Sequence, residues 1–363
     1  MSDLIQRWVR EEIRALSAYH VPSASGMVKL DAMENPYSWS DHLQSQWQFE
    51  LSEAQLNRYP DPAANTLRQR LRKTMEIPNC AEIMLGNGSD ELIQIMAMAV
   101  AKPGRCILAP APGFVMYDMI SRFTGMDYIG VPLLPDFNLD MPAMLAAMEK
   151  HQPAIVFIAY PNNPTGNLFH RDEVKQIIDA APGIVVLDEA YHAFADDSFM
   201  SDLRHYPQLV VMRTVSKMGL AGLRLGYMAA APGLIHEFDK IRLPYNINIL
   251  TQVTADFALR HRTMFDLQTQ QICKDRTIVF DALKALPDVD VFPTSANFIL
   301  FRPNGVDAAE VFSALKDRKV LIKNLSAQGG LLSGCLRVTV GSREENDQFL
   351  NALTESLTQL RGA

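Results

Sequence analysis

Short apolar runs recur through the middle of the chain, each ended by turn-forming or charged residues. AIVFIA (154–159) is followed by the turn-rich PNNPTG and then by RDEVKQIIDAA (171–181), whose apolar positions fall at helical spacing. IVVL (184–187) runs into DEAY, and LVVM (209–212) follows. Three such runs, 25–30 residues apart with a helix in the first gap, predict βαβ units and a largely parallel sheet buried on both faces. Right-handed crossovers gather the C-termini of such strands on one edge, where ligands bind in this architecture.

The last third changes character. A long helical stretch spans about 248–285, after which VFPTSANFILFR (291–302) reads as strand and DAAEVFSALKDRK (307–319) as helix. VLIKNL (320–325) and CLRVTVG (335–341) read as strands, and REENDQFLNALTESLTQL (343–360) as a closing helix. The first 50 residues look irregular beyond a short helical start, and they hold all three tryptophans, Trp8, Trp39 and Trp47. The expected organisation is an arm over 1–50 that packs on other structure, a large α/β domain over 51–255 and a smaller α+β domain over 256–363. No repeat or low-complexity tract interrupts it.

Composition narrows the function. With 363 residues, 48% hydrophobic and 21% charged, the chain can bury a core in each of two domains. The net charge of −7 offers no basic footprint for nucleic acid, so an anionic small substrate must be met by local cations. The most apolar run, LIQIMAMAVA (92–101), is too short for a bilayer. The opening MSDLIQRWVREEIRAL lacks an apolar signal core, and Cys80, Cys106, Cys273 and Cys335 are scattered with no C-x-x-C pair. A cytoplasmic protein with reduced thiols and no metal site is expected.

Four features stand at the predicted strand and helix ends. Lys217 follows LVVM, and a lysine among apolar neighbours loses hydration, so its amine becomes a nucleophile toward carbonyls; the alternative is a lysine that reaches solvent from a strand end. Ser216 and Arg224 lie beside it and offer a hydroxyl and a guanidinium to a phosphate. Asp188 ends IVVL, where it can face a ligand or simply form a turn, with Tyr191 three residues on. NNPTG (162–166) places Asn163 in a tight turn. In LGNGSDELIQ, Ser89 and Asp90 open a helix whose free N–H groups make an anion site, or else an ordinary N-cap. The spacing matches neither the P-loop nor the dinucleotide fingerprint.

Together these features answer what pyridoxal phosphate demands: donors for its phosphate, an acid for its ring nitrogen, donors for its phenolic oxygen and a lysine for its aldehyde. The chain resembles the fold-type-I pyridoxal-phosphate aminotransferases, and within them the histidinol-phosphate aminotransferase family. KLDAMENPY (29–37), NRYPDP (57–62), GNGSDE (86–91), YPNNPTG (160–166), DEAY (188–191), SKMGLAGLRLGY (216–227), ANFILFR (296–302) and SGCLRVTVG (333–341) carry the likeness nearly end to end.

The resemblance implies an α/β fold with a mostly parallel seven-stranded central sheet and a smaller α+β domain. It implies that Lys217 binds the cofactor aldehyde and shuttles the substrate proton, that Asp188 pairs with the ring nitrogen, and that Asn163 and Tyr191 donate to the ring oxygen. Phe114, in APGFVMY, takes the place of a stacking ring that is often Tyr. Ser89, Asp90, Ser216 and Arg224 form the phosphate cup, and Tyr59 reaches the phosphate from the other subunit of a homodimer. Arg337 binds the substrate's carboxylate or phosphate, Tyr19 lies near the substrate, and Lys323 stands where a second substrate arginine is often found. Lys217 and Arg224 are seven apart where some members have eight, which calls for a tighter loop.

The substrates implied are L-histidinol phosphate and 2-oxoglutarate, in histidine biosynthesis. An aromatic-amino-acid aminotransferase or an amino-acid-phosphate decarboxylase on the same scaffold are the alternatives, and a non-catalytic cofactor-binding regulator is a more distant one.

Overall fold

The computed structural model describes residues 2–18 and 22–362. Its thirteen strands among those residues form three sheets. The central sheet has seven strands: β2 (Glu82–Asn87), β3 (Cys106–Ala111), β4 (Asp127–Pro132), β5 (Ile155–Ala159), β6 (Ile184–Asp188), β7 (Leu209–Thr214) and β8 (Leu225–Ala230). They lie in the order β2-β8-β7-β6-β5-β3-β4, and only β8 runs against the rest.

Residues alternate between the two faces of a strand, so each central strand feeds two cores. Val156 and Ile158 of β5 join Val185 and Leu187 of β6 under the helices Met141–His151 and Arg171–Ala180. Ile155 and Phe157, with Val186, instead meet Leu92 and Met96 of the helix Gly88–Val100 and Phe238 of the helix Pro232–Asp239. Two buried faces explain why these strands read as unbroken apolar runs. The chain order reverses between β3 and β5, and the loops after these two strands flank the crevice where a ligand fits. Asn162 spans it, donating from Nδ2 to the carbonyl of Pro112 at 3.1 Å.

The second sheet is antiparallel, β12 (Lys323–Asn324), β13 (Leu336–Thr339), β10 (Phe298–Pro303) and β9 (Val289–Val291) in that order, covered by the helices Arg262–Ala285, Ala308–Asp317 and Arg343–Arg361. The run 291–302, expected as one strand, turns back on itself. Thr294 Oγ1 donates to the carbonyl of Phe298 and accepts from Ala296 N, closing the PTSAN turn and pairing β9 with β10. VLIKNL is also divided. β11 (Val320–Leu321) pairs in parallel with β1 (Val28–Lys29), and only Lys323–Asn324 joins the larger sheet. The stretch 248–285 is two helices, Ile249–Arg260 and Arg262–Ala285, broken at His261.

The first 50 residues hold more helix than the sequence indicated. Ser40 caps a helix over Asp41–Ser52 by accepting from Leu43 N. Trp47 donates from Nε1 to Thr254 Oγ1 at 2.9 Å, and Trp39 stacks on Phe257 with ring centroids 5.7 Å apart. Trp8 is exposed. Among the described residues no helix is long and apolar enough to cross a membrane.

Candidate active site

The C-terminal ends of β5, β6 and β7 open on one cavity, lined by Ser89, Asp90, Phe114, Asn163, Asp188 and Tyr191 and, from the β7–β8 turn, Ser216, Lys217 and Arg224. A larger hollow of about 410 Å³, lined by Asp61, Arg68, His236 and Arg242 among others, lies elsewhere and brings together none of these groups. Convergent chemistry rather than size selects the site.

Lys217 sits in one 3₁₀ turn, Ser216–Met218, and a second, Ala221–Leu223, carries the chain back to β8. Arg224 closes the loop with φ 48°, a left-handed residue that compresses the seven-residue spacing between amine and guanidinium. Lys217 Nζ donates to the carbonyl of Ala32 at 3.0 Å. Burial first, and then the positive charges of Arg337 and Arg224, lower its pKa from 10.5 to about 8, so the amine is readily deprotonated near neutral pH.

Asp188 ends β6 with its carboxylate in the cavity. Oδ2 accepts from the hydroxyl of Tyr117 at 2.8 Å, and Oδ1 accepts from Ala190 N at 3.2 Å. Burial raises its pKa to about 6 against the pull of those donors. The next residue, Glu189, points away and is fully buried. Arg213 of β7 grips its Oε2 through Nε and Nη2 at 2.9 and 2.8 Å, and Phe199 N donates to Oε1. This pair locks the ends of β6 and β7 behind the cavity.

Asn163 donates from Nδ2 to the hydroxyl of Tyr191 at 3.2 Å and accepts on Oδ1 from Arg337 at 2.5 Å. Arg337, on β13, also donates to the carbonyl of Asp31 and lies over the ring of Phe298, so the second sheet delivers a buried cation to the cavity's rim. Lys323 is its direct cross-strand partner on β12, and directly opposed residues of an antiparallel pair share a face.

The anion end is built from the helix Gly88–Val100. Its N-cap residue, Asn87, makes no side-chain cap, and Ser89 and Asp90 of the first turn line the cavity. Gly88 has φ 77°, and a Cβ there would stand 2.6 Å from Nη2 of Arg224; only glycine lets the guanidinium close over the turn. Gly226 is needed as well, because a Cβ there would meet the backbone of Gly88 and Ser89 within 3 Å. Ser216 Oγ lies 2.8 Å from Thr214 Oγ1, which also accepts from Ser216 N at 3.1 Å. A helix N-terminus, Arg224 and Lys217 in a chain of net charge −7 fit a phosphate, and the amine and the acid Asp188 fit a ring aldehyde.

Tyr59 does not line this cavity. It is 80% exposed and stacks on Tyr245, ring centroids 4.5 Å apart. Tyr19 lies outside the described residues. The sequence reading did not single out Met33, Ala159, Ala190 and Thr214, which also line the cavity, nor Tyr117 and Arg213, which act from behind it. Tyr117 closes the quoted APGFVMY, yet nothing local signals a bond to a carboxylate 71 residues away.

A nucleophilic lysine, a facing acid and an anion cradle at the switch point of a mostly parallel sheet define an α/β enzyme shaped for a phosphorylated aldehyde cofactor. Comparison with known proteins agrees. The model of the family "Aminotransferase class I and II" matches residues 25–353. The chain is 54% identical to histidinol-phosphate aminotransferase 2 of Nitrosococcus oceani, covering 97% of this chain and 98% of that one. It is 52% identical to histidinol-phosphate aminotransferase 2 of Cupriavidus pinatubonensis, covering 98% of each. Its fold matches the crystal structure of histidinol-phosphate aminotransferase from Sinorhizobium meliloti in complex with pyridoxal 5'-phosphate, with a TM-score of 0.86 at 23% identity over 97% of this chain and 98% of that one. The chain belongs to the class I and II aminotransferase family, whose enzymes depend on pyridoxal phosphate and have the fold-type-I architecture.

Proposed function

We propose that this chain is a histidinol-phosphate aminotransferase, which moves the amino group of L-histidinol phosphate to 2-oxoglutarate, giving imidazole-acetol phosphate and glutamate, in histidine biosynthesis. The observation that carries the chemistry is the Lys217 amine, lowered toward neutrality in a cavity that also holds Asp188. The names of relatives identical at half their positions over nearly the whole chain support the substrate.

Pyridoxal phosphate, when bound, supplies an aldehyde and an electron-accepting ring. Ser89 and Asp90 offer backbone N–H groups to its phosphate, with Ser216 and Arg224 beside them. Asp188 would pair with the ring nitrogen and keep it protonated, Asn163 and Tyr191 would donate to the ring oxygen, and Phe114 would supply the stacking ring. Lys217 Nζ would move the proton between the substrate's Cα and C4′ of the cofactor, in one direction with the donor and in the other with the acceptor, a role its lowered basicity suits. Arg337 and Lys323 share one sheet face and bind the anion that both substrates carry, the phosphate of one and the distal carboxylate of the other. To do so Arg337 exchanges its bond to Asn163 for one to the substrate. The arm 1–50, the large domain 51–255 and the small domain 256–363 assemble as one half of a cytoplasmic homodimer in which Tyr59 serves the partner's phosphate cup.

Donor screening tests the reading. L-Histidinol phosphate has no carboxylate, so its conversion cannot be a decarboxylation. Purified protein given histidinol phosphate, phenylalanine or threonine phosphate in turn should convert its bound cofactor to the amine form, followed by absorbance, by far fastest with the first. Release of carbon dioxide from threonine phosphate, or a preference for phenylalanine, would replace this reading with one of its two alternatives.

A further inference from the structure

Tyr117 is the one side chain that donates to Asp188 among the described residues, and it approaches from behind the cavity rather than from within it. Its ring is 1% exposed. It stacks on Phe157 of β5 at 4.5 Å and 11°, and meets Phe114 edge-on at 5.5 Å and 86°. Those two contacts leave the phenol little freedom, so its hydroxyl is held on Oδ2 while the backbone of Ala190 holds Oδ1. The same ring supports Phe114, which lines the cavity.

We propose that Tyr117 is the positioning residue for Asp188: its hydroxyl fixes the carboxylate in the orientation that meets the ring nitrogen of the cofactor. The proposal rests on the assignment of Asp188 made above. Burial pushes the Tyr117 phenol well above 10, so it stays protonated and acts as a donor throughout the working range. Its bond opposes the burial that raises Asp188 to about 6. The other groups around Asp188 are Asp90 on the helix Gly88–Val100 and its neighbour Glu189, both of which raise it, together with the cavity's Lys217, Arg224 and Tyr191.

Tyr117→Phe keeps the ring and removes only the donor. The pH dependence of pyridoxal phosphate binding to the apoprotein should then lose its inflection near 6 and show one shifted upward by about one to two pH units, the size expected for a lost hydrogen bond to a buried charge. In the loaded enzyme kcat should fall while the KM for the amino donor holds, since Tyr117 does not touch the substrate pocket. In an Asp188→Asn background the same substitution should change kcat by less than about twofold, because the two residues act as one unit. An unmoved inflection, or a full-sized loss of kcat in the Asn background, overturns the role of Tyr117. Asp188→Asn with undiminished cofactor affinity and turnover would instead overturn the assignment of Asp188 itself, whatever Tyr117 does.

Discussion

Lys217 is held under strong electrostatic tension in the cavity. Its amine is surrounded by protein, one carbonyl accepts from it, and two guanidinium groups lie near enough to disfavour its proton. The unfolded chain holds that proton up to 10.5, whereas the folded chain releases it at about 8. Between those values the unfolded state binds more protons, so the contribution of Lys217 to apoprotein stability climbs as pH rises from 8 to 10.5 and is lowest below 8. The penalty at neutral pH is roughly 3 kcal/mol by linkage. Lys217→Met should therefore raise the denaturant midpoint of the apoprotein at pH 7, with its advantage over the parent shrinking between pH 8 and 10.5, while removing turnover. A substituted protein less stable than its parent at pH 7 would show that the ammonium is well solvated.

Strand ends hold the site in place, and the Glu189–Arg213 pair is what joins two of them. Both side chains are buried and the carboxylate is fully occupied by Arg213, Ser198 and Phe199 N. Removing one partner leaves a buried charge with nothing opposite it, so Arg213→Met should cost about 3–5 kcal/mol of unfolding free energy. Adding Glu189→Gln should recover a large part of that loss, measured by urea denaturation of both variants; equal stability of the single and double variants would refute the pairing. Much around this pair was legible in the sequence. Asp188 stands directly after the apolar run 184–187 and Lys217 a few residues beyond the run 209–212, and such runs mark strands whose ends point into a crevice. What could not be read there is pairing across the fold. Tyr117, on the helix after β3, meets Asp188, at the end of β6, only because β5 lies beside both strands, and Arg337 reaches Asn163 only because a second sheet docks on the first. The run 291–302 misled for a different reason: its apolar ends are strand-like, but Pro293, Thr294 and Ser295 supply a turn in between.

The proposed homodimer turns on Tyr59. Within its own chain it stands outside the cavity, stacked on Tyr245, with Leu56 and Leu243 also exposed in the same two loops. The loop bearing Tyr245 is tied back to the anion cradle: Asn246 donates to Glu91 Oε2 and to the carbonyl of Leu85, and Asn87 donates to the carbonyl of Asn246. In the proposed homodimer this aromatic pair, braced against one cradle and open to solvent, would serve the cradle of a second copy. Mixing two defective chains tests this directly. One carries Tyr59→Ala with Lys217 intact; the other carries Lys217→Ala with Tyr59 intact. If Tyr59 crosses the subunit boundary, a mixed dimer collects both defects in one site and leaves the other whole. Half the dimers of an equal random mixture are mixed and each has one of two sites intact, so about a quarter of full activity should return after the chains are dissociated and recombined. If Tyr59 serves its own chain, every site in the mixture keeps a defect and activity stays at the level of the unmixed variants. Sedimentation of the wild-type chain as an active monomer would remove the cross-subunit role altogether.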